Sequence, residues 1–147
     1  MKYGKLRTLR GQITAAGGVA RKNIIVSDGL VNLGLKIISL QVWPAVNNGG
    51  TVKFTSILSL DTISSGSDMN ASDNRQFGWQ FFSTGGAVGE VQTTRAIIDP
   101  DHIVNRDLFL TLDNSTDGIY NYVIEAQVVE LSDDEAIITI IKETSQS

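Results

Sequence analysis

The chain contains no cysteine, a single histidine and only two prolines. Without cysteine it can form no disulfide and cannot use a thiolate as a nucleophile or a metal ligand. No apolar run approaches the roughly 20 residues that a membrane-spanning helix requires. The N-terminal stretch MKYGKLRTLRGQ lacks the apolar core of a signal peptide. We therefore expect no membrane partner and no secretion.

Catalytic signatures are also missing from the sequence. There is no GxSxG, no HExxH and no glycine-rich phosphate loop that opens a helix. No pair of carboxylates stands apart from those in turns, so the residues for glycoside hydrolysis are not evident. The sequence predicts a protein that is not an enzyme, has no catalytic residues and needs no cofactor.

Negative charge is absent from the first 27 residues. This segment carries a charge of +6, whereas the rest of the chain carries −10, which gives the net charge of −4. A segment of one sign on a body of the other favours association with an acidic neighbour or with a polyanion such as nucleic acid. The alternative is a basic tail that is simply solvated.

What the chain does have is the pattern of a β protein. Fourteen glycines accompany 41% hydrophobic residues in 147 residues, a suitable length for one domain with a sizeable core. Apolar residues that alternate with period two mark strands. They are Leu108, Leu110 and Leu112 before a polar turn, and Tyr120, Tyr122 and Ile124 after it. We predict that residues 106 to 130 form a long antiparallel hairpin.

A second strong strand is predicted over residues 31 to 43. Its apolar alternation changes parity at Ile38 and Ser39, which indicates a β-bulge. Residues 51 to 60 are the expected hairpin partner. A further bulge is expected at Gly11 in a first strand.

An aromatic row occupies the predicted strand over residues 75 to 83. Phe77, Trp79 and Phe81 share one parity, and such a row on a strand usually belongs to the core, so we expect Trp79 to be buried. The alternative is a stacking platform of Phe77 and Trp79 beside the polar loop of residues 61 to 74. That arrangement would suit a carbohydrate-binding β-sandwich module.

The C-terminal segment predicts a short helix. Ser132 and Glu135 have the spacing of a capping box. We expect the helix to pack on the body through three isoleucines, which are Ile137, Ile140 and Ile141.

About eight strands and one helix indicate an all-β fold. We expect an antiparallel two-sheet sandwich, with a jelly roll as the leading arrangement, a basic N-terminal arm and a short C-terminal helix. Residues 1 to 20 would be the arm or an edge strand, residues 21 to 131 the sandwich body, and residues 132 to 147 the helix and tail.

Two polar turns carry residues that could bind a metal. The first contains Asp99, Asp101 and His102. The second resembles the opening of a calcium loop, with oxygen ligands or glycine at Asp113, Ser115, Asp117 and Gly118. The bidentate acid of a calcium loop would fall on position 124, where the chain has isoleucine. In both turns we favour an ordinary turn without a metal.

The layout of the whole chain resembles small virion structural proteins, especially single-jelly-roll capsid, decoration or minor coat proteins of bacteriophages. The features that carry the resemblance are the basic stretch from Lys2 to Lys22, the predicted hairpin and the tail ELSDDEAIITIIKE. The resemblance implies self-assembly as a homo-oligomer, contacts with other virion proteins and location in a virion assembled in the host cytoplasm. No binding residue transfers from it.

Our hypothesis for assembly assigns the contact to the N-terminal arm, which could alternatively hold nucleic acid. Cationic side chains would meet acidic surface on an adjacent subunit while apolar ones bury on it. The arm residues are Lys2, Lys5, Leu6, Arg7, Leu9, Arg10 and Ile13.

Overall fold

A computed structural model describes residues 2–16, 19–24, 33–45, 52–62, 69–84, 93–99, 101–113 and 118–144. These residues form nine strands and one helix. The strands are β1 (Lys2–Ala15), β2 (Val19–Ile24), β3 (Leu33–Pro44), β4 (Val52–Ser59), β5 (Gln76–Thr84), β6 (Thr93–Ile98), β7 (Ile103–Val104), β8 (Leu108–Asp113) and β9 (Gly118–Glu130). The helix is α1 (Asp133–Thr144).

The strands are arranged in two antiparallel sheets. A four-stranded sheet has the order β1-β9-β3-β7, and a five-stranded sheet has the order β2-β8-β4-β5-β6. The alternating apolar residues of both sheets face each other and form one core cluster. The prediction of an all-β antiparallel fold with two sheets and a C-terminal helix is confirmed.

Neither predicted hairpin forms. Strand β8 pairs with β2 and β4, whereas β9 pairs with β1 and β3, so the two halves of residues 106 to 130 belong to different sheets. Strands β3 and β4 are divided between the sheets in the same way. The alternation of apolar residues identified the strands and their buried faces correctly. It could not identify their partners, because a strand needs the same alternation whichever neighbour it pairs with.

The predicted bulge in β3 is confirmed, since the register with β9 shifts between Ile37 and Ser39. The bulge in β1 lies between Tyr3 and Leu6 and not at Gly11. Gly11 has a different effect, which is to leave room for the Tyr122 ring. A Cβ atom at this position would lie 2.8 Å from the hydroxyl oxygen of Tyr122, which is too close for any side chain without a shift of that ring.

A bulge in β5 separates the aromatic row that the sequence predicted. The register with β4 shifts where Leu58 faces Gly78 and the next residue faces Gln76, which leaves Phe77 as the extra residue. Phe77 is fully buried in the core, but Trp79 and Phe81 point to the opposite, outer face. The prediction of a single aromatic face is therefore wrong, and Trp79 is half-buried, not buried.

Helix α1 begins at the predicted capping box. The backbone N–H of Glu135 donates to Ser132 Oγ at 3.2 Å, and the Ser132 N–H donates to Glu135 Oε1 at 3.1 Å. Its buried residue Ala136 packs on the outer face of the four-stranded sheet, in a small cluster with Val129 and Ile103.

The predicted contacts of the helix differ from those in the structure. Ile137 is 56% exposed, so the prediction that it packs on the body is wrong. The side chains of Ile140 and Ile141 lie outside the described part of the chain.

Candidate functional site

The first half of β1 is exposed on both faces. Every residue from 2 to 8 is exposed, and burial begins only at Leu9. Two large apolar side chains in this stretch face solvent, since Tyr3 is 57% exposed and Leu6 is 73% exposed. We call residues 2 to 8 the exposed half-strand.

The exposed half-strand is held in place by β9. Lys2 lies opposite Glu130, Tyr3 opposite Val129 and Leu6 opposite Gln127. The Gln127 side-chain amide donates to the Gly4 carbonyl at 3.3 Å, within the bulge. The half-strand is therefore ordered within its own chain and is not a free arm.

One cation on β3 lies over the Tyr3 ring of the exposed half-strand. The Lys36 ammonium lies 5.6 Å from the centre of the Tyr3 ring, a distance that allows a cation–π interaction. This contact gives the exposed ring of Tyr3 a fixed partner on β3.

Strand β1 forms one edge of the four-stranded sheet. Among the described residues its strand partner is β9, so the backbone groups on its other side point away from the sheet. An edge of this kind can accept another strand, and cationic side chains restrict which strand that is. The exposed cations of β1 are Lys2, Lys5, Arg7 and Arg10.

Two residues assigned to the arm occupy a different place from the one predicted. Leu9 and Ile13 are buried in the core of their own chain. They are therefore not available to bury on a neighbouring subunit, contrary to the prediction. Leu6 and the four cations remain exposed, and their role in assembly stays a prediction.

Acidic side chains lie at the same end of the molecule as the exposed half-strand. Glu130 faces Lys2 across the strand pair, and Asp133 and Asp134 follow in the first turn of α1. The hydrogen bond from the Ser132 backbone lowers the pKa of Glu135, which keeps that carboxylate ionised in the same turn. Ile138 in the next turn is 63% exposed. Glu130 opposite Lys2 thus brings an acidic group to the exposed half-strand, and the acidic first turn of α1 follows Glu130 in the chain.

The turn with the candidate metal ligands does not gather them. The ring of His102 is buried and stacks on Phe77 at a centroid distance of 4.7 Å, and Asp99 Oδ1 accepts a hydrogen bond from the backbone of Asp101. Within the described residues, no three histidine or acidic side chains lie close enough to hold a metal ion. The calcium-like loop with Ser115 and Asp117 falls outside the described residues.

Residues 69 to 76, which include the described end of the polar loop of residues 61 to 74, are joined by several hydrogen bonds. The Arg75 guanidinium donates to both carboxylate oxygens of Asp73, at 3.0 and 2.8 Å. These bonds lower the pKa of Asp73 and raise that of Arg75. Gln76 Oε1 accepts from the backbone N–H of Asn70 and from the Trp79 indole N–H, each at 2.9 Å.

The proposed glycan platform of Phe77 and Trp79 is not formed. Phe77 is fully buried, so Trp79 does not share an exposed surface with it. On the outer face Trp79 instead lies opposite Ile97, which is 52% exposed, and near Phe81, which is 46% exposed. Trp79, Phe81 and Ile97 thus place apolar side chains on the outer face of β5 and β6, and Arg95 lies opposite Phe81 in the strand register.

A different tryptophan, which the sequence reasoning missed, lies in a groove on the other sheet. Trp43 is 38% exposed on the outer face of β3, and it shares a cross-strand row with Asn121 and Gln12. The Gln12 amide donates to Asn121 Oδ1 at 3.0 Å. The groove, here called the Trp43 groove, has a volume of about 510 Å³. The parity change in β3 could have revealed the outward orientation of Trp43, although not the groove, because buried Leu40 and Val42 require the alternate residues to face outward.

The sequence matches no known protein family, and no curated protein is similar to it. No helix among the described residues has the length and apolar character needed to cross a bilayer.

Proposed function

We propose that the protein is a non-enzymatic structural protein of a virus particle and works by self-assembly through β1. The observation that carries the proposal is the exposed half-strand at a sheet edge, with Tyr3 and Leu6 facing solvent. An unpaired sheet edge is a template for another strand, and exposed apolar side chains along it are surface that a partner can cover.

The pairing of the strands supports a jelly roll as the finer description of the sandwich. The pairs β1–β9, β2–β8, β3–β7 and β4–β5 are nested, as they would be if one long hairpin were folded over into two sheets. Strand β6 then extends the edge beside β5. Jelly rolls of this kind build viral capsid proteins and lectins, so the topology agrees with the resemblance to virion proteins.

Charge favours a second copy of this chain as the partner. The basic segment of residues 1 to 27 carries +6 and the remainder −10, so the edge of one copy is complementary to acidic surface on another. Because Glu130 lies opposite Lys2 and the acidic first turn of α1 follows it in the chain, two copies could face each other around a two-fold axis with opposite charges in contact.

The energy of docking must come mainly from apolar burial. Exposed ion pairs contribute only ~0–1 kcal/mol each. Covering a leucine of the type of Leu6 contributes about 1.5–3 kcal/mol, and an added strand satisfies the backbone groups of the edge. Since β9 already orders β1, docking does not have to supply the conformational entropy of a disordered arm.

The test is the oligomeric state of the full chain by native mass spectrometry and analytical ultracentrifugation. We expect the wild-type protein to form a closed oligomer and Leu6→Asn or Tyr3→Asn to dissociate it. Ile97→Asn is the matched control, because Ile97 is an exposed aliphatic residue on the other sheet, and it should leave the oligomer intact. Salt should weaken assembly only modestly, because apolar contacts are not screened.

A wild-type protein that stays monomeric at every concentration would overturn the proposal. Binding of nucleic acid that falls steeply with salt would instead assign the cations of β1 to a polyanion. Point substitutions are preferable to deletion of residues 1 to 20, because deletion would also remove Leu9 and Ile13 from the core.

A further inference from the structure

We infer that the Trp43 groove is a binding site for an uncharged saccharide, a function separate from assembly. The groove crosses the outer face of β1, β9 and β3 between two rows of side chains. One row is Gln12, Asn121 and Trp43, and the other contains Arg10 and Val123. Its volume of about 510 Å³ lies within the range of roughly 300–1,000 Å³ for small-ligand sites.

The floor of the groove is backbone. Gly11 and Tyr122 form the cross-strand pair between the two rows, and the Tyr122 side chain points into the core. The second row rises less above the sheet than the first, because the Val123 side chain is small whereas the Trp43 side chain is large. The result is a slot with an aromatic ring at one end, open to solvent along its length.

Trp43 supplies the apolar surface that a sugar ring requires. An indole presents a flat electron-rich face, and one face of a pyranose consists of C–H groups that can pack against it. Trp43 is 38% exposed where β3 ends at Pro44, so its ring is held by the sheet while part of it stays accessible.

The two amides supply the polar partners. Because Gln12 Nε2 donates to Asn121 Oδ1 at 3.0 Å, the Gln12 oxygen remains an acceptor and the Asn121 nitrogen remains a donor. Sugar hydroxyls both donate and accept, so they match this alternating pair. The amide–amide bond also limits the rotation of both side chains, which lowers the entropy cost of binding.

Charge distinguishes a saccharide from a nucleic acid, the other ligand that stacks on tryptophan. Of the described residues that line the groove, Arg10 is the only cation. The next cross-strand row on the same face contains Glu125. Lys22 is a second cation nearby, and its ammonium donates to the Gln12 carbonyl at 3.1 Å. Single-stranded nucleic acids require several cations along the backbone path, whereas one cation lines this groove.

The experiment titrates the full chain with cellopentaose, mannopentaose, chitopentaose and lactose, and with an oligothymidylate as the competing class. Binding is followed by calorimetry and by saturation-transfer NMR. We expect at least one saccharide to bind and Trp43→Ala to weaken it by at least about tenfold, as for a central aromatic contact. Asn121→Ala should weaken binding by a smaller factor, and Trp43→Phe should retain most of it.

Ile97→Asn is again the control and should bind as the wild type does. Because Trp43 faces outward, its variants should stay folded, and circular dichroism checks this. If Trp43→Ala does not fold, Trp43→Phe still tests the role of the ring. Absence of saccharide binding at millimolar concentrations, equal binding by Trp43→Ala, or binding of the oligothymidylate alone would each overturn the inference. Repeating the titration with the Leu6→Asn variant separates saccharide binding from assembly, because Arg10 lies on the β1 edge and also lines the groove.

Discussion

The side chain of Gln80 makes the two hydrogen bonds with the Val42 backbone that a neighbouring strand would otherwise make. Its Oε1 accepts from the Val42 backbone N–H at 2.8 Å, and its Nε2 donates to the Val42 carbonyl at 3.1 Å. Gln80 belongs to the five-stranded sheet and Val42 to the four-stranded one, so the carboxamide joins the two layers. Among the described strands, β7 covers this edge of β3 only at Leu35 and Lys36, which leaves Val42 in need of another partner.

Gln80→Ala should destabilise the fold by about 2–4 kcal/mol, because it leaves both backbone groups of Val42 without this partner and opens a cavity. Gln41→Ala is the matched control, since Gln41 is exposed and should change stability by no more than about 0.5 kcal/mol. Urea unfolding monitored by circular dichroism measures both. Equal stability of the two variants would show that the Gln80 bonds contribute nothing net.

Leu9→Ala and Leu6→Ala should have very different effects on the free energy of unfolding of the monomer. Leu9 lies in the core and is 9% exposed, so its truncation should cost about 2–5 kcal/mol. Leu6 is 73% exposed, and its truncation should change stability by no more than about 0.5 kcal/mol. Denaturant unfolding at low protein concentration separates these effects from assembly. A Leu9→Ala protein of undiminished stability would contradict the place of β1 in the core.

Gly34→Ala should disrupt the packing of the small apolar cluster beneath α1. The new Cβ would lie 2.6 Å from Ile103 Cγ2 and 3.3 Å from the Val104 carbonyl oxygen. We expect a loss of about 1–3 kcal/mol, as for other overpacked sites. Adding Ile103→Ala removes the clashing methyl group, so the double variant should be more stable than the sum of the single effects predicts. Strict additivity in the thermal unfolding of the four proteins would show that the contact is not the cause.

The Asp73–Arg75 pair should make the loop before β5 sensitive to acid. The side-chain hydrogen bonds from Arg75 hold the pKa of Asp73 below its ordinary value of 3.8. Its stabilising effect is therefore complete above the ordinary value and is lost as pH falls through the lowered native value. Asp73→Asn should cost about 1 kcal/mol at neutral pH and should remove this acid dependence. Unfolding measured from neutral to strongly acid pH tests both, and an unchanged pH profile in the variant would contradict the assignment.

The sequence was most informative where the structure depends on residues that are close together in the chain. Ser132 and Glu135 are three residues apart, and their reciprocal bonds could be predicted from that spacing alone. The bulge in β3 was predictable for the same reason, since the change of parity at Ile38 is visible within a few residues.

Strand partners and exposed sites were not predictable from the sequence. Pairing of β1 with β9 joins residues at opposite ends of the chain, and no local pattern encodes it. Phe77 is the extra residue of a bulge, so Trp79 and Phe81 lie on the face opposite to Phe77. The apolar alternation in the sequence does not show this change. The Trp43 groove depends on three strands becoming neighbours, so its residues are scattered through the sequence.

The pairing of β1 with β9 also determines when the four-stranded sheet can form during synthesis. A ribosome makes Leu9 well before its partner Ile124, which follows 115 residues later in the chain (124 − 9). Contacts between such distant residues form slowly, so β2, β4 and β8 can pair before β1 has a place in its sheet. During synthesis the basic strand therefore has no strand partner in its sheet until β9 appears, and until then it stays open to chaperones or to other nascent copies.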